Sequence, residues 1–200
     1  MPATRSRSVE IHPLTPGRWR DLAALFETNA VTRGCWCMWF RLRTPDFRAH
    51  EGDGNRRAFQ RIVRSAAIAP GLIAYLDGAP AGWCAVAPRD DYPRILRSPT
   101  TKPLDGRPAW AVTCFFIARN ARGAGLMRRL LDEAVRFAAE HGATLVEGYP
   151  VDPGGRRINP DEAYHGLASV FAAAGFEEAA RRQPKRPIMR RALARARRAR

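Results

Sequence analysis

Apolar and polar positions along the chain follow two periods, and the places where the period changes mark out the elements. Ser8 to Leu14 alternates with a period of two, with Val9 and Ile11 on one face, as an edge strand does. Thr15-Pro16 then supplies a helix cap followed by a proline suited to the first helical position. Trp19, Leu22, Ala23 and Phe26 recur at helical spacing and predict a first helix over 16–28. A second amphipathic helix begins near Asn55, carries Phe59, Ile62, Val63 and Ala66 on one face, and ends before Pro70. Between the two, Gly34 to Phe40 is dense in large apolar side chains and has to lie against a partner.

The pattern returns to strands at Leu72–Leu76 and Ala81–Ala87, joined through Asp77-Gly78 as a hairpin. Residues 88–108, rich in Pro, Asp and Arg, read as a long surface loop or lid. Ala109 to Ile117 is a nearly unbroken apolar run, the central strand, covered on both faces. A helix follows with Leu126, Leu130, Leu131, Ala134 and Ala138 on one side and charged residues opposite, stopping at Gly142. Thr144–Val151 is the next strand, and strand–helix–strand of this length implies a parallel, right-handed crossover. Tyr164–Ala174 reads as a helix, Arg186–Arg190 as a last, edge strand, and Arg191–Arg200 as a basic tail, frayed or disordered. The expected fold class is α/β (α+β): a mixed central sheet with antiparallel N-terminal strands, one parallel pair and flanking helices, forming a single domain over 1–190.

Composition narrows this picture. Two hundred residues, 46% of them apolar, build one core. No run of 18 apolar residues occurs and Met1 to Val9 lacks an apolar export segment, so the expected location is cytoplasmic and away from membranes. Four cysteines are too few for a disulfide scaffold, and the pair Cys35 and Cys37 has no second ligand pair at zinc spacing, so no metal is expected. The net charge of +15 concentrates in residues 1–8 and 179–200, which hold twelve Lys/Arg and no acid, leaving the remainder at +3. Such a basic arm predicts, at most, weak salt-dependent contact with nucleic acid.

The chemistry centres on Arg122-Gly123-Ala124-Gly125, between the central strand and the long helix. A helix start presents unsatisfied amides and a positive dipole end, the glycines let a ligand approach the backbone, and Arg122 adds charge, so the turn suits a diphosphate. Neither the dinucleotide G-x-G-x-x-G nor the Walker pattern is present. With Asn120-x-x-Gly123-x-Gly125 at this junction and Phe171-x-x-x-Gly175-Phe176 near the end, the chain resembles the GNAT superfamily of N-acetyltransferases over most of its length. The resemblance implies acetyl-CoA as co-substrate and acetyl transfer to a primary amine of a small molecule or peptide, in a monomer or homodimer. It implies further that the backbone of Phe115, Phe116 and Ile117 binds the pantetheine arm, while amides of Arg122, Gly123, Ala124, Gly125, Leu126 and Met127 take the phosphates. Asn120 stands where the family motif has Gln or Arg, Phe171 where many relatives carry a tyrosine acid, and Tyr164 where many carry Asn.

The central strand offers no carboxylate or histidine, so the general base falls to Glu147, set mid-strand among apolar neighbours, against the alternative that it pairs with an arginine. Tyr149 and Tyr164 are candidate proton donors, or plain aromatics of the core or rim. Trp36 and Trp39, with Phe40, are candidates for one wall of an acceptor pocket, against a core role. Cys35 paired with His141 or His165 is a weaker, nucleophilic alternative. Two other functions stay open: a non-catalytic coenzyme A sensor, and a nucleic-acid- or ribosome-associated protein using the basic arm.

Overall fold

The strand segments assemble into one seven-stranded sheet in a computed structural model that describes residues 7–194, and the side chains of all of these except Pro160 and Asp161. Its strands are β1 (Val9–Pro13), β2 (Gly71–Leu76), β3 (Ala79–Pro88), β4 (Trp110–Ile117), β5 (Leu145–Gly148), β6 (Glu177–Gln183) and β7 (Arg186–Ala192), in the order β1-β2-β3-β4-β5-β7-β6. The first four are antiparallel to their neighbours, β4 and β5 run parallel, and β7 is antiparallel to both β5 and β6. The helices are α1 (Trp19–Glu27), α2 (Ala30–Cys35), α3 (Thr44–Ala49), α4 (Asp53–Ser65), α5 (Pro93–Arg97), α6 (Leu126–Glu140) and α7 (Ala168–Ala173).

The two faces of the sheet are covered by different helices, which is why β4 is apolar on both sides. Leu130, Leu131, Ala134 and Ala138 of α6 meet Leu72, Cys84, Val86 and Val112 on one face, with Phe171 and Phe176 beside them. On the other face Leu22 and Phe26 of α1 and Phe59 and Val63 of α4 enclose Ile73, Trp83 and Phe116. Burying each such side chain contributes about 1.5–3 kcal/mol, so both layers are needed to hold the sheet. The mixed sheet, its antiparallel N-terminal strands and its parallel central pair are as the sequence predicts.

Several elements differ from the sequence reading. Thr15-Pro16 opens a 3₁₀ turn over Pro16–Arg18 rather than α1 itself, and the Thr15 hydroxyl makes no cap bond. Predicted helix 164–174 is split by Gly166 at φ 81°, with a 3₁₀ turn (Pro160–His165) before it and α7 after. β5 ends at Gly148, short of the predicted Val151, because the chain beyond it leaves β4. The last strand is not an edge: β7 lies between β5 and β6, and β6, which the sequence reading lacks, forms the edge. Arg191 and Ala192, assigned to a tail, belong to β7, and Leu193 donates its amide to Thr144. The rest of the predicted basic tail, 195–200, lies outside the described residues.

Candidate functional site

Parting of β4 from β5 creates the site. The two strands pair only from Trp110–Val146 to Val112–Gly148. Just there β4 carries one extra residue, Thr113, against β3, a bulge that bends the strand away. Backbone oxygens of β4 are left facing the gap: Thr113 O accepts from His165 Nδ1 (3.0 Å) and Ile117 O from Arg122 Nε (3.4 Å). Val151 bridges to Leu167 across the opening, so the segment with Tyr164 and His165 is threaded between the parted strands. Tyr164 faces one cavity and His165 the other.

The first cavity is a groove of about 450 Å³ along β4 and the start of α6, lined by Phe115–Ile117, Arg122, Gly123, Gly125–Met127 and Tyr164. Gly123 and Gly125 have φ values of 82° and 70°, and a Cβ at either would meet nothing within 4 Å. Their backbone is therefore open to a ligand. α6 has no side-chain cap at its start, and its first internal amide bond runs from Arg129 to Gly125 O. The amides of Gly123 to Arg128 donate to no backbone carbonyl among the described residues. Unsatisfied donors, a positive helix end and an apolar channel leading from them fit a diphosphate joined to a long neutral arm. This groove brings together all the residues predicted to bind the coenzyme except Ala124, which sits in the same turn but does not line it.

The second cavity, about 640 Å³, lies on the other side of the threaded segment. Trp39, Phe40 and Ile188 supply apolar walls, Tyr149 and His165 its inner end. Residues from 93 to 101 form another wall, so part of the predicted loop is folded as α5 over the opening. Arg94 ties that wall down: its guanidinium lies 3.8 Å over Trp39 and donates to Trp39 O (2.5 Å), Thr44 Oγ1 (3.0 Å) and Leu42 O (3.2 Å). Arg43, Arg97 and Arg186 also face the cavity, and none of the described residues lining it is acidic.

His165 is the polar group that sequence reasoning undervalued. Burial above all, then the nearby Arg186 charge, pushes its pKa down to about 4, against the opposing bond to Thr113 O. The imidazole is thus neutral at neutral pH, with Nδ1–H donated to Thr113 and Nε2 left as an acceptor. Phe40 packs edge-on against the ring at 5.4 Å and fixes its plane. Nothing in the sequence near His165 signals this, because Thr113, Phe40 and Arg186 come from distant segments.

Glu147 is held otherwise than a base at the substrate would be. It is 1% exposed; its Oε1 accepts from Arg89 Nη1 (3.1 Å) and Arg190 Nε (2.8 Å), and its Oε2 from Tyr149 Oη (2.8 Å). The arginine-paired alternative describes it. Tyr149 presents its ring to the second cavity while its hydroxyl is committed to Glu147; burial first, then the carboxylate, push its pKa well above the ordinary value. Tyr164 edges the groove and donates to Asn29 Oδ1 (3.1 Å). Trp36 is a correction: at 1% exposure it stacks between Trp19 and Phe26 in the core and lines neither cavity, whereas Trp39 does line the second. Phe171 is fully buried, its ring filling the space over Gly148 so closely that a Cβ there would lie 2.0 Å away. Cys35 has its thiol pKa raised by burial to about 12, which removes the nucleophile reading. Among the described residues no group of three His, Cys, Asp or Glu is placed to hold a metal ion, and no helix is long and apolar enough to cross a membrane.

The central parallel pair parts beside an uncapped helix start, with a groove of about 450 Å³ on one side and a cavity of about 640 Å³ on the other. The family model described as acetyltransferase (GNAT) matches residues 36–153, and the chain belongs to that family. Solved structures agree on the fold. An aminoglycoside N-acetyltransferase, AAC(6')-Iy, in complex with CoA is 18% identical with a TM-score of 0.54, covering 90% of this chain and 94% of its own. The PaiA N-acetyltransferase of Thermoplasma acidophilum in complex with coenzyme A is 16% identical with a TM-score of 0.53, covering 93% and 99%. A protein from Corynebacterium glutamicum described as histone acetyltransferase HPA2 and related acetyltransferase is 14% identical with a TM-score of 0.55, covering 94% and 97%. No curated protein matches the chain. The chain is thus an acetyltransferase of the GNAT type.

Proposed function

We propose that the chain transfers the acetyl group to a primary amine, with acetyl-CoA in the groove at α6 and the acceptor in the cavity beyond His165. The observation that carries this reading is the threaded segment itself: Tyr164 edges one space and His165 the other, so a thioester at the end of the groove and an amine in the cavity meet where β4 and β5 part. The amides of Gly123 to Met127 and the Arg122 guanidinium hold the phosphates. The β4 backbone from Phe115 to Ile117 lines the arm like an added strand.

The amine nitrogen attacks the thioester carbonyl carbon, the C–N bond forms, the C–S bond breaks, and sulfur leaves as thiol or thiolate. The nitrogen has to arrive neutral. Four arginines around the cavity disfavour an ammonium there, which lowers the acceptor's pKa, and His165 Nε2 accepts the proton released. Glu147 is a positioning residue in this reading: it keeps Arg89, Arg190 and Tyr149 in place behind the cavity. Tyr149 and Tyr164 remain proton donors to the departing sulfur only by proximity, since each hydroxyl donates to a fixed partner. Titration calorimetry with acetyl-CoA, followed by thiol release over an amine panel, tests the reading. It predicts saturable binding and amine-dependent release; binding without release from any amine supports a coenzyme sensor instead.

A further inference from the structure

The second cavity has a charge pattern that the acetyltransferase reading leaves unused. Arg43, Arg94, Arg97 and Arg186 face it with no acid among the described lining residues. Arg94 is spent on Trp39, Leu42 and Thr44. Arg186 is different. It is half-buried at the start of β7, next to the neutral His165, and it makes no ion pair or side-chain hydrogen bond with another described residue. Other partly buried arginines have partners: Arg89 and Arg190 share Glu147, Arg190 also takes Asp105, Arg41 lies near Asp91, and Arg94, Arg182 and Arg191 donate to backbone carbonyls. A partly desolvated guanidinium without an internal anion is available to a ligand, and its planar fork fits a carboxylate or phosphate in bidentate fashion.

Resting on the two-cavity acetyltransferase reading, we propose that the acceptor is an anionic amine, whose oxyanion pairs with Arg186 while its amino group lies toward His165. The shared chemistry is an amine and an oxyanion on one molecule, with Arg97 and Arg43 at the exposed rim drawing it in and Trp39, Phe40 and Ile188 covering its apolar part. Pairing also serves the chemistry. An anion on Arg186 removes one of the two causes that depress the His165 pKa, so the histidine becomes a better proton acceptor when the correct acceptor is bound. A di- or polycationic amine meets the reverse field.

The test is a thiol-release assay with acetyl-CoA over matched acceptors: free α-amino acids against their amides, phosphoethanolamine against ethanolamine, and a diamine, each with wild type and Arg186→Gln. The expected result is kcat/KM about tenfold or more above the neutral match for either the carboxylate or the phosphate series, whichever source supplies the oxyanion. Arg186→Gln is expected to abolish that ratio while leaving acetyl-CoA affinity within about threefold, and Arg186→Lys to restore part of it. Equal rates for charged and neutral matches, a preference for the diamine, or coenzyme binding with no anionic amine acetylated would each overturn the proposal and leave the coenzyme groove standing. Loss of acetyl-CoA binding in the wild type would instead overturn the acetyltransferase reading itself. Unchanged acetyl-CoA affinity in the variant certifies that it has folded.

Discussion

The two cavities are built from opposite materials. The groove at α6 is built largely from residues near one another in sequence, β4, the glycine turn and the first turn of α6 within residues 115–127, closed on its far side by Ala163, Tyr164, Leu167 and Val170. The acceptor cavity is made of side chains from distant segments, with Trp39, Arg97, Tyr149, His165 and Arg186 meeting only in the fold. A local backbone site tolerates change around it and fails when its glycines change. A site of converging side chains depends on ion pairs well behind it. In the proposed reading the first takes the common co-substrate and the second discriminates between acceptors.

The largest expected effect falls behind the acceptor cavity. Glu147→Ala leaves Arg89, 6% exposed at its side chain, and Arg190 without their shared carboxylate, and removes the acceptor of the Tyr149 hydroxyl. Breaking a buried pair on one side costs about 3–5 kcal/mol, which is a Tm drop of roughly 10 °C for a chain of this size. Calorimetric melting checks it. A drop of less than about 2 °C would mean that the network does not hold this side of the sheet.

Gly123→Glu sharpens the comparison from the other side. With open space around the site the protein folds, at about 1 kcal/mol for a non-glycine residue at positive φ, yet acetyl-CoA affinity falls about a hundredfold because bulk and negative charge enter the phosphate position. Direct titration reads this, and Gly123→Glu binding as tightly as wild type would remove the groove from the account. Next, Arg94→Ala frees α5 from Trp39, Leu42 and Thr44; the acceptor KM is expected to rise about tenfold with acetyl-CoA affinity unchanged.

The smallest effect is in titration. His165 is held near a pKa of about 4, below its value in an unfolded chain, so the unfolded state takes up a proton first as pH falls. The contribution of neutral His165 to stability is present above pH 6.5, is lost as pH falls from about 6.5 to 4, and changes no further below that. In Arg186→Gln one depressing cause is gone, and the His165 pKa measured by NMR is expected to rise. A pKa that stays in place on removal of Arg186 would separate the two residues.

How much of this was legible follows from the same contrast. The sheet, its parallel pair and the glycine turn lie in periodicity and in one short motif, and the family resemblance points to residues 115–117 and 122–127, all of which but Ala124 line the groove. Glu147 was conspicuous as a charge in an apolar strand, but its arginine partners, 58 and 43 residues away, were not. β6 escaped because five of its seven residues are polar and its side chains are mostly exposed, so no alternation marks it. The sequence reads Arg186 as the start of an edge strand, and nothing in that strand pattern brings it to the cavity it lines. His165 has a role only once Thr113, Phe40 and Arg186 surround it, and Trp36 differs from Trp39 by a left-handed turn at Trp36 and Cys37 that sends one ring into the core and the other to the cavity.

The most direct measurement is a crystal structure of the protein with coenzyme A and an N-acetylated amino acid bound together. The account predicts the diphosphate oxygens about 3 Å from amides between Gly123 and Met127, the arm along Phe115–Ile117, and the product's carboxylate on Arg186 with its acetamide nitrogen facing His165 Nε2. A diphosphate bound away from the start of α6, or a product lying outside the cavity between Trp39 and Arg186, would contradict it.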